Sequence, residues 1–546
     1  MLSSSERMPA FAGPQDRDAR RADAWLRTIL PCLAVGMVAC LLYGISIQTR
    51  PAHLDEFYHL LAGRSWQLHR DFALLDGQYV RAPLFTMIVG WTFDLVGRAD
   101  LLVARLPSVL FSAISVAILF QWPRQSAGPW AGLSAAALLG LAGYTFDIAH
   151  FARFYALHTL LILTAAWTLY LATRTNRRLQ PLWAGLAAMA LILAYQLQPV
   201  TIIALAGLGG WLLIDQRALL LQTLKRHPRS ALILSACVVI AVILGFEPLA
   251  AMVGRFAHAE RWATAAQNDR LYYVREFWVQ MPLFSLLTPV ALLLAIRSHA
   301  RLGLLCASMI IICLTLHSFA GMKAWRYCYY VLPFFCMAYG LAIASLLPAT
   351  GPDKRRATLQ TGIGAIVLLT LLASSPVYRE GARLTLAGLK ALATGPVALA
   401  APVPDGDWSR AEGPFRAIAA RQGMLVTGDD LRTIAHLGDY QVFISSSRLG
   451  ELPPFTDFTP DYRTGRPIIE AVSAMNAVID CNRSGAVIVS DRQWRNPIAV
   501  TPAVADLIER RLTPVRSVPG FHVFTWQAAK AARPCPYPQH GSRRAS

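Results

Sequence analysis

Residues 83–97 read PLFTMIVGWTFDLVG, an apolar stretch that opens on a proline and carries Asp94 near its end. Whether this stretch crosses a membrane decides how the whole chain is laid out. The chain has 546 residues, 55% hydrophobic and only 15% charged, where soluble domains carry about a quarter charged. That composition is one of a polytopic membrane protein. Apolar runs of spanning or near-spanning length lie near 28–48, 106–122, 130–146, 155–173, 181–195, 200–214, 231–247, 277–296, 302–319, 329–347 and 358–375. They number eleven without 83–97, and twelve with it.

Charge settles the parity. The segments 174–178 (RTNRR), 215–229, 297–301 (RSHAR) and 353–356 (DKRR) are short and basic, the mark of cytoplasmic loops. With a basic N-terminus inside, eleven crossings put all four inside, and a twelfth at 83–97 would put all four outside. Residues 83–97 are therefore read as a helix lying in the membrane surface. Residues 49–105 then form one large outer loop, whose six arginines are matched by six acids. The same count places 147–154 (DIAHFARF), 248–276 and 320–328 (AGMKAWRYC) outside.

The net charge of +19 is that of basic cytoplasmic loops rather than of a nucleic-acid surface, since no nucleic-acid motif is present. Arg17, Arg20, Arg21 and Arg27 precede a run long enough to span, so residues 1–27 are expected as a cytoplasmic tail before an uncleaved first helix. Residues 28–375 form the membrane domain. From 376 to 546 proline, glycine and charge rise, and short apolar strands appear at 424–428, 441–445, 486–490 and 521–525, with helical patterns at 429–437, 467–480 and 502–511. This alternation predicts a small α/β domain, outside by the same count. Of nine cysteines, seven sit in or beside apolar runs and need no role beyond packing. Cys481 and Cys535 lie in the outer part, where pairing is open to them. His258 and Glu260 make no metal site by themselves.

The outer segments pool Asp55, Glu56, Arg81, Arg105, Arg153, Lys323 and Arg326, with the aromatics Tyr58, Trp66, Tyr155, Trp325 and Tyr327. Lys323 and Arg326 break the charge rule by standing outside. Cations at a bilayer surface suit a lipid-linked phosphate, and arginine suits it best through its planar fork of donors. A carboxylate beside them suits removal of a proton from an incoming hydroxyl. Plainer readings stand next to these. Asp55-Glu56 can cap a helix, Arg153 can anchor at the interface, and Lys323 and Arg326 can bind headgroups.

The order of these features resembles the GT-C membrane glycosyltransferases of the protein O-mannosyltransferase and lipid A aminoarabinose transferase type. The residues that carry the resemblance are Asp55-Glu56, Arg81-Ala-Pro-Leu-Phe85, Arg105-Leu-Pro-Ser108, Ala152-Arg-Phe-Tyr-Ala-Leu157 and Lys323-Ala-Trp-Arg-Tyr327. It covers residues 25 to about 375. The resemblance implies a GT-C fold in the plasma membrane of a bacterial-type cell, with the site and the C-terminal domain on the extracytoplasmic side. It implies a polyprenyl-phosphate sugar donor, a lipid, glycan or protein hydroxyl as acceptor, and a single inverting displacement. No cofactor is required, and dependence on a divalent metal stays open, with none indicated. Asp55 would be the general base, and Glu56 would orient the acceptor or Asp55. Arg81, Arg153, Lys323 and Arg326 would hold the donor phosphate, and Arg105, Tyr58, Tyr155 and Tyr327 would shape the site. The family's usual Lys-Pro-Pro is Arg81-Ala82-Pro83 here, and the acid often found two residues before the arginine of the Arg-x-Tyr motif, Arg153, is Phe151. A transporter or lipid-linked sugar flippase is the rival class, but no internal repeat of the kind common in transporters is present.

Overall fold

In the computed structural model the described residues are 14–176, 178–218, 222, 269–321, 323–347, 354–395, 406–451, 454–515, 518–529, 531 and 533–537. The expected crossing at 231–247, most of the loop 248–276, and His258 and Glu260 lie outside them. The first helix, α1 (Pro14–Ile45), is followed by α2 (Glu56–His69), a two-stranded hairpin of β1 (Ala73–Leu74) and β2 (Gly77–Gln78), and α3 (Pro83–Val96). The stretch that decides the topology is thus a helix of 14 residues. At ~1.5 Å per residue it is about 21 Å long, short of a ~30 Å hydrocarbon core. Pro83 starts it, where a missing N–H costs nothing, and Gly97 ends it at φ 74° with its N–H on the Phe93 carbonyl. α3 packs along α2 so closely at Gly90 that a side chain there would meet Trp66 and the Gly63 carbonyl. Its far end leaves Trp91 and Leu95 exposed.

The long helices follow: α4 (Leu101–Ala127), α5 (Pro129–Gly140), α6 (Gly143–Ala149), α7 (Tyr155–Ala172), α8 (Gln180–Leu197), α9 (Thr201–Asp215), α10 (Tyr272–Gln280), α11 (Pro282–Ser298), α12 (Ala300–Ser318), α13 (Leu332–Ser345), α14 (Lys354–Ser374) and α15 (Pro376–Thr394). Asp100 caps α4 by accepting from the Val103 N–H at 3.0 Å. Among the described residues five helices are long and apolar enough to cross a membrane, and eight spans result if each bent pair counts as one. The bends lie between α5 and α6 (64°), α10 and α11 (107°), and the end of α14 and α15 (86°). With little apolar driving force between helices in lipid, contacts such as the Ser308 hydroxyl on the Gly207 carbonyl (2.6 Å) join α12 to α9.

The last of these helices, α15, was expected as the start of the outer domain. It instead packs on the membrane domain, with Gly381 against the Leu141 carbonyl and Gly388 against Ile45. Its polar face, with Arg379, Glu380, Arg383 and Lys390, explains the sequence reading.

The C-terminal α/β domain begins at α16 (Trp408–Arg421) and holds seven strands, in the order β5 (Thr459–Pro460), β6, β4, β3, β7, β9 and β8 (Thr513–Pro514). β3 (Leu425–Thr427), β4 (Val442–Ile444), β6 (Pro467–Ile469) and β7 (Ser484–Ser490) run parallel, and β9 (Phe521–Gln527) returns antiparallel beside β7. The parallel strands are buried on both faces, as apolar runs without alternation require. The helical pattern expected at 467–480 divides into β6 and the helix Val472–Cys481. Three residues of Pro-Ile-Ile are too short to separate strand from helix by period. Cys481 and Cys535 are joined by a disulfide.

Candidate active site

Asp55 and Glu56 are neighbours in sequence with opposite surroundings. The Glu56 side chain is 1% exposed, and it receives the Arg105 guanidinium side-on at 2.8 and 2.7 Å. It also accepts the backbone N–H groups of His53 and Ala152, each at 2.9 Å. Arg105 spends its remaining donors on the carbonyls of Ile47, Arg50 and Pro51 at 3.0–3.1 Å. This pair ties the end of α1, the start of α2, α4 and the segment after α6 into one knot.

Asp55 lies at the N-cap position of α2, yet its side chain makes no cap bond. Its carboxylate is 26% exposed and stands 3.6 Å from Arg326 and 3.9 Å from the His53 ring. Burial would raise its pKa, but Arg153, His53, Arg326 and Arg81 together outweigh this and hold the carboxyl below its ordinary value. An acid so placed is ionised and aimed outward.

The cations come from three segments far apart in the sequence. Arg153 is buried, and one Nη donates to the Asp55 carbonyl at 3.1 Å and to the Tyr79 hydroxyl at 3.3 Å. Its guanidinium and that of Arg81 lie over the Phe154 ring at 5.2 and 5.5 Å. Arg81 is exposed and bonds Gln198 at 3.3 Å. The backbone turns there through Ala82 at φ 51°, an uncommon left-handed conformation for a residue with a side chain. Arg326 lies over Tyr327 and Phe151 at 5.5 and 5.9 Å. The Nε groups of Arg153 and Arg326 are buried without a hydrogen-bond partner among the described residues. Tyr155 packs between Phe151, Phe154 and Tyr327. Lys323 is buried in the same loop as Arg326 and donates to the Ala320 carbonyl at 2.7 Å.

Asp55, Arg81, Arg153, Arg326, Tyr155 and Tyr327 thus converge, while Glu56 and Arg105 form the knot behind them. Tyr58 turns to the outer domain. Its hydroxyl accepts from Arg463, whose guanidinium lies 5.2 Å over its ring. The Tyr58 ring stacks on Tyr79 at 4.6 Å, so Arg463, Tyr58, Tyr79 and Arg153 form a continuous chain of contacts. Beside it Arg466 pairs with Asp76 at 2.8 Å, and the backbone N–H groups of Asp76 and Gln78 bond the carbonyls of Thr464 and Tyr462. Gly77 and Gly465 let these backbones meet. Sequence reasoning did not find Tyr79, His53 or Arg463. Tyr79 carried the one usable signal, an aromatic residue two positions before Arg81.

A family model described as dolichyl-phosphate-mannose-protein mannosyltransferase matches residues 80–244. Among curated proteins, none matches the sequence. Similar solved structures include ArnT from Cupriavidus metallidurans bound to undecaprenyl phosphate, at TM-score 0.57 and 14% identity, over 93% of this chain and 99% of that one. The oligosaccharyltransferase AglB from Archaeoglobus fulgidus, in complex with an inhibitory peptide and a dolichol-phosphate, aligns at TM-score 0.51 and 10% identity, over 85% of this chain and 70% of that one. An Archaeoglobus fulgidus oligosaccharyltransferase tethered with an acceptor peptide aligns at TM-score 0.54 and 10% identity, over 91% and 74%. The chain shares the GT-C fold of these membrane glycosyltransferases, and a part of it, residues 80–244, matches the mannosyltransferase family model.

Proposed function

We propose that the protein transfers a sugar from a polyprenyl-phosphate donor to an acceptor hydroxyl at the outer membrane face, with inversion. The observation that carries this is Asp55, an ionised carboxylate that caps nothing and stands among three arginines. The Asp55 carboxylate takes the acceptor hydroxyl's proton as that oxygen bonds the anomeric carbon. The bond from that carbon to the phosphate oxygen breaks on the opposite face, and its electron pair leaves with the phosphate. The phosphate gains a negative charge in this step. Arg153, Arg326 and Arg81 are placed to stabilise that charge as it grows. Glu56 and Arg105 hold the segment that carries Asp55. Lys323, bonded to the carbonyl of Ala320, steadies the loop that carries Arg326. No step needs a nucleotide or a metal.

The match to a mannosyltransferase family and the fold shared with a structure holding undecaprenyl phosphate support a lipid-phosphate donor. The Cys481–Cys535 disulfide supports a C-terminal domain in an oxidising compartment, and with it the reading of a site on the extracytoplasmic face of a bacterial-type plasma membrane. The test is release of polyprenyl phosphate from polyprenyl-phosphate sugars by the purified full chain with hydroxyl acceptors. Turnover that requires Asp55 is the expected result. A protein that moves the intact sugar-lipid across vesicle membranes without cleaving it would instead be a flippase.

A further inference from the structure

The helix α15 shows three faces around its axis, where a helix on a soluble core shows two. Successive residues turn by about 100°. On that wheel Val377, Tyr378, Gly381, Leu384 and Gly388 fall together and are buried, with Gly381 on the Leu141 carbonyl and Gly388 on Ile45. Next to this side, Ala382, Leu386 and Leu389 form an apolar face that the protein leaves uncovered, Leu386 being 66% exposed and Leu389 49%. Beyond it stand Arg379, Arg383 and Lys390, all exposed. The order around the axis is protein, apolar, cation.

The helix before it says what covers the apolar face. α14 has 21 residues, about 31 Å at ~1.5 Å each, enough to cross a ~30 Å hydrocarbon core unaided. Leu359, Ile363, Ile366 and Leu369 run along one side of it and are 45–65% exposed, a stripe that faces lipid. Ser375 alone separates α14 from α15, and the chain turns there by 86°. α15 therefore starts where the crossing ends and runs along the membrane surface. Arg379, Glu380, Arg383 and Lys390 make a course through the hydrocarbon costly. Charge agrees with a place among headgroups. Arg383 and Arg50 share Glu380, while Arg379 and Lys390 have no ion pair among the described residues.

We infer that α15 is seated in the bilayer surface, with Ala382, Leu386 and Leu389 among the acyl chains of the leaflet on the Asp55 side and Arg379, Arg383 and Lys390 among its headgroup phosphates. The stems of these cations start beside the apolar face and carry the charges outward from it. Apolar burial and attraction to phosphate hold such a helix together, and the excess of positive charge selects anionic lipids. The inner side of α15 meets the segment that leads to Asp55, through Gly388 on Ile45 and Glu380 on Arg50. The seat of α15 is thus also a seat for the end of α1.

The test places the photoreactive residue p-benzoylphenylalanine at Leu386 of the full-length protein. The protein sits in vesicles of equal phosphatidylglycerol and phosphatidylcholine, and mass spectrometry identifies what light attaches to the probe. The expected product is one phospholipid, with phosphatidylglycerol in excess. Lys390→Gln, one turn on from the probe, should cut that excess by about fivefold. The same probe at Ser473, an exposed position of the C-terminal domain, should capture less lipid. Attachment to a second copy of the chain would make the face a dimer contact. Attachment elsewhere in the same chain would make it a resting place for another part of the protein. Lipid capture no greater than at Ser473 would leave the face in water. Each of these three outcomes overturns the inference. Equal capture of the two lipids, unmoved by Lys390→Gln, overturns the headgroup half of it. If the probe at Leu386 prevents insertion, the same probe at Leu389 gives the same readings. No readout depends on sugar transfer, so failure of the proposed function leaves this test standing.

Discussion

Asp55 and Glu56 share a peptide bond and little else. Glu56 is 1% exposed, with both oxygens paired to Arg105 and two backbone N–H groups. Asp55 is 26% exposed, capless, and 3.6 Å from its nearest arginine. Successive residues on a helix point about 100° apart, so one acid faces into the bundle and the other into the site. A carboxylate that is fully bonded has no lone pair to offer a substrate, while one held by charge at a distance does.

The sharpest attack on this contrast is Asp55→Asn. Asn cannot take a proton as a base, so turnover should fall by about 10²–10⁴. Because Asp55 makes no cap bond, thermal stability should hold. An active Asp55→Asn protein would remove the base from this account.

Arg105→Ala should do the reverse. It strands Glu56 buried and unpaired, a loss of about 3–5 kcal/mol of stability, read as a lower melting temperature in detergent. Activity per folded molecule should change less than in Asp55→Asn. A stable Arg105→Ala protein would mean that the knot is not structural.

Third, Arg326→Gln removes one of the charges that keep Asp55 ionised. Turnover should fall by about 10²–10³ if Arg326 meets the leaving phosphate. The pH profile adds a sign. Arg326 lowers the Asp55 pKa, so its loss raises that pKa, and the acidic limb of the rate should move to higher pH. A limb that stays in place would show that Arg326 does not act on Asp55.

The smallest effect is expected at Arg463→Ala, which removes the bond to the Tyr58 hydroxyl along with bonds to the Tyr462 hydroxyl and Glu451 within the same domain. A change of about fivefold, appearing as weaker donor binding rather than slower chemistry, matches a net hydrogen bond of ~1 kcal/mol acting through Tyr79 on Arg153. Loss confined to the chemical step would contradict that path.

Much of this was legible in the sequence. The eleven apolar runs fall on helices wherever the residues are described, because ten or more apolar residues in a row have few other ways to satisfy their backbone in lipid. The interfacial reading of 83–97 came from charge parity alone, and the 14 residues of α3 do not decide it, since α13 in an expected crossing has the same length. Asp55, Arg81 and Arg153 stood out as charges pooled in the loops expected on one face, and Arg326, with Lys323, as a cation on the side the charge rule disfavours. What stayed hidden depends on direction and distance. Nothing in the letters separates Asp55 from Glu56, because the difference is a rotation about a helix axis. Arg463 lies 405 residues from Tyr58, beyond any local pattern.

The joint between Asp76-Gly77-Gln78 and Tyr462-Arg463-Thr464-Gly465-Arg466 has a consequence for how such proteins diversify. Its two halves meet through backbone bonds, through two glycines with no room for a side chain, and through the Arg466–Asp76 pair. The hairpin on the membrane side also carries the tyrosine that touches Arg153. An outer domain borrowed from another protein cannot simply be spliced on at residue 406. It must bring its own matching hairpin, or meet this one with the same pair of glycines and the same charge. The two halves of the joint are constrained to change together, and a change in either is felt at Arg153 through the tyrosine that follows the hairpin.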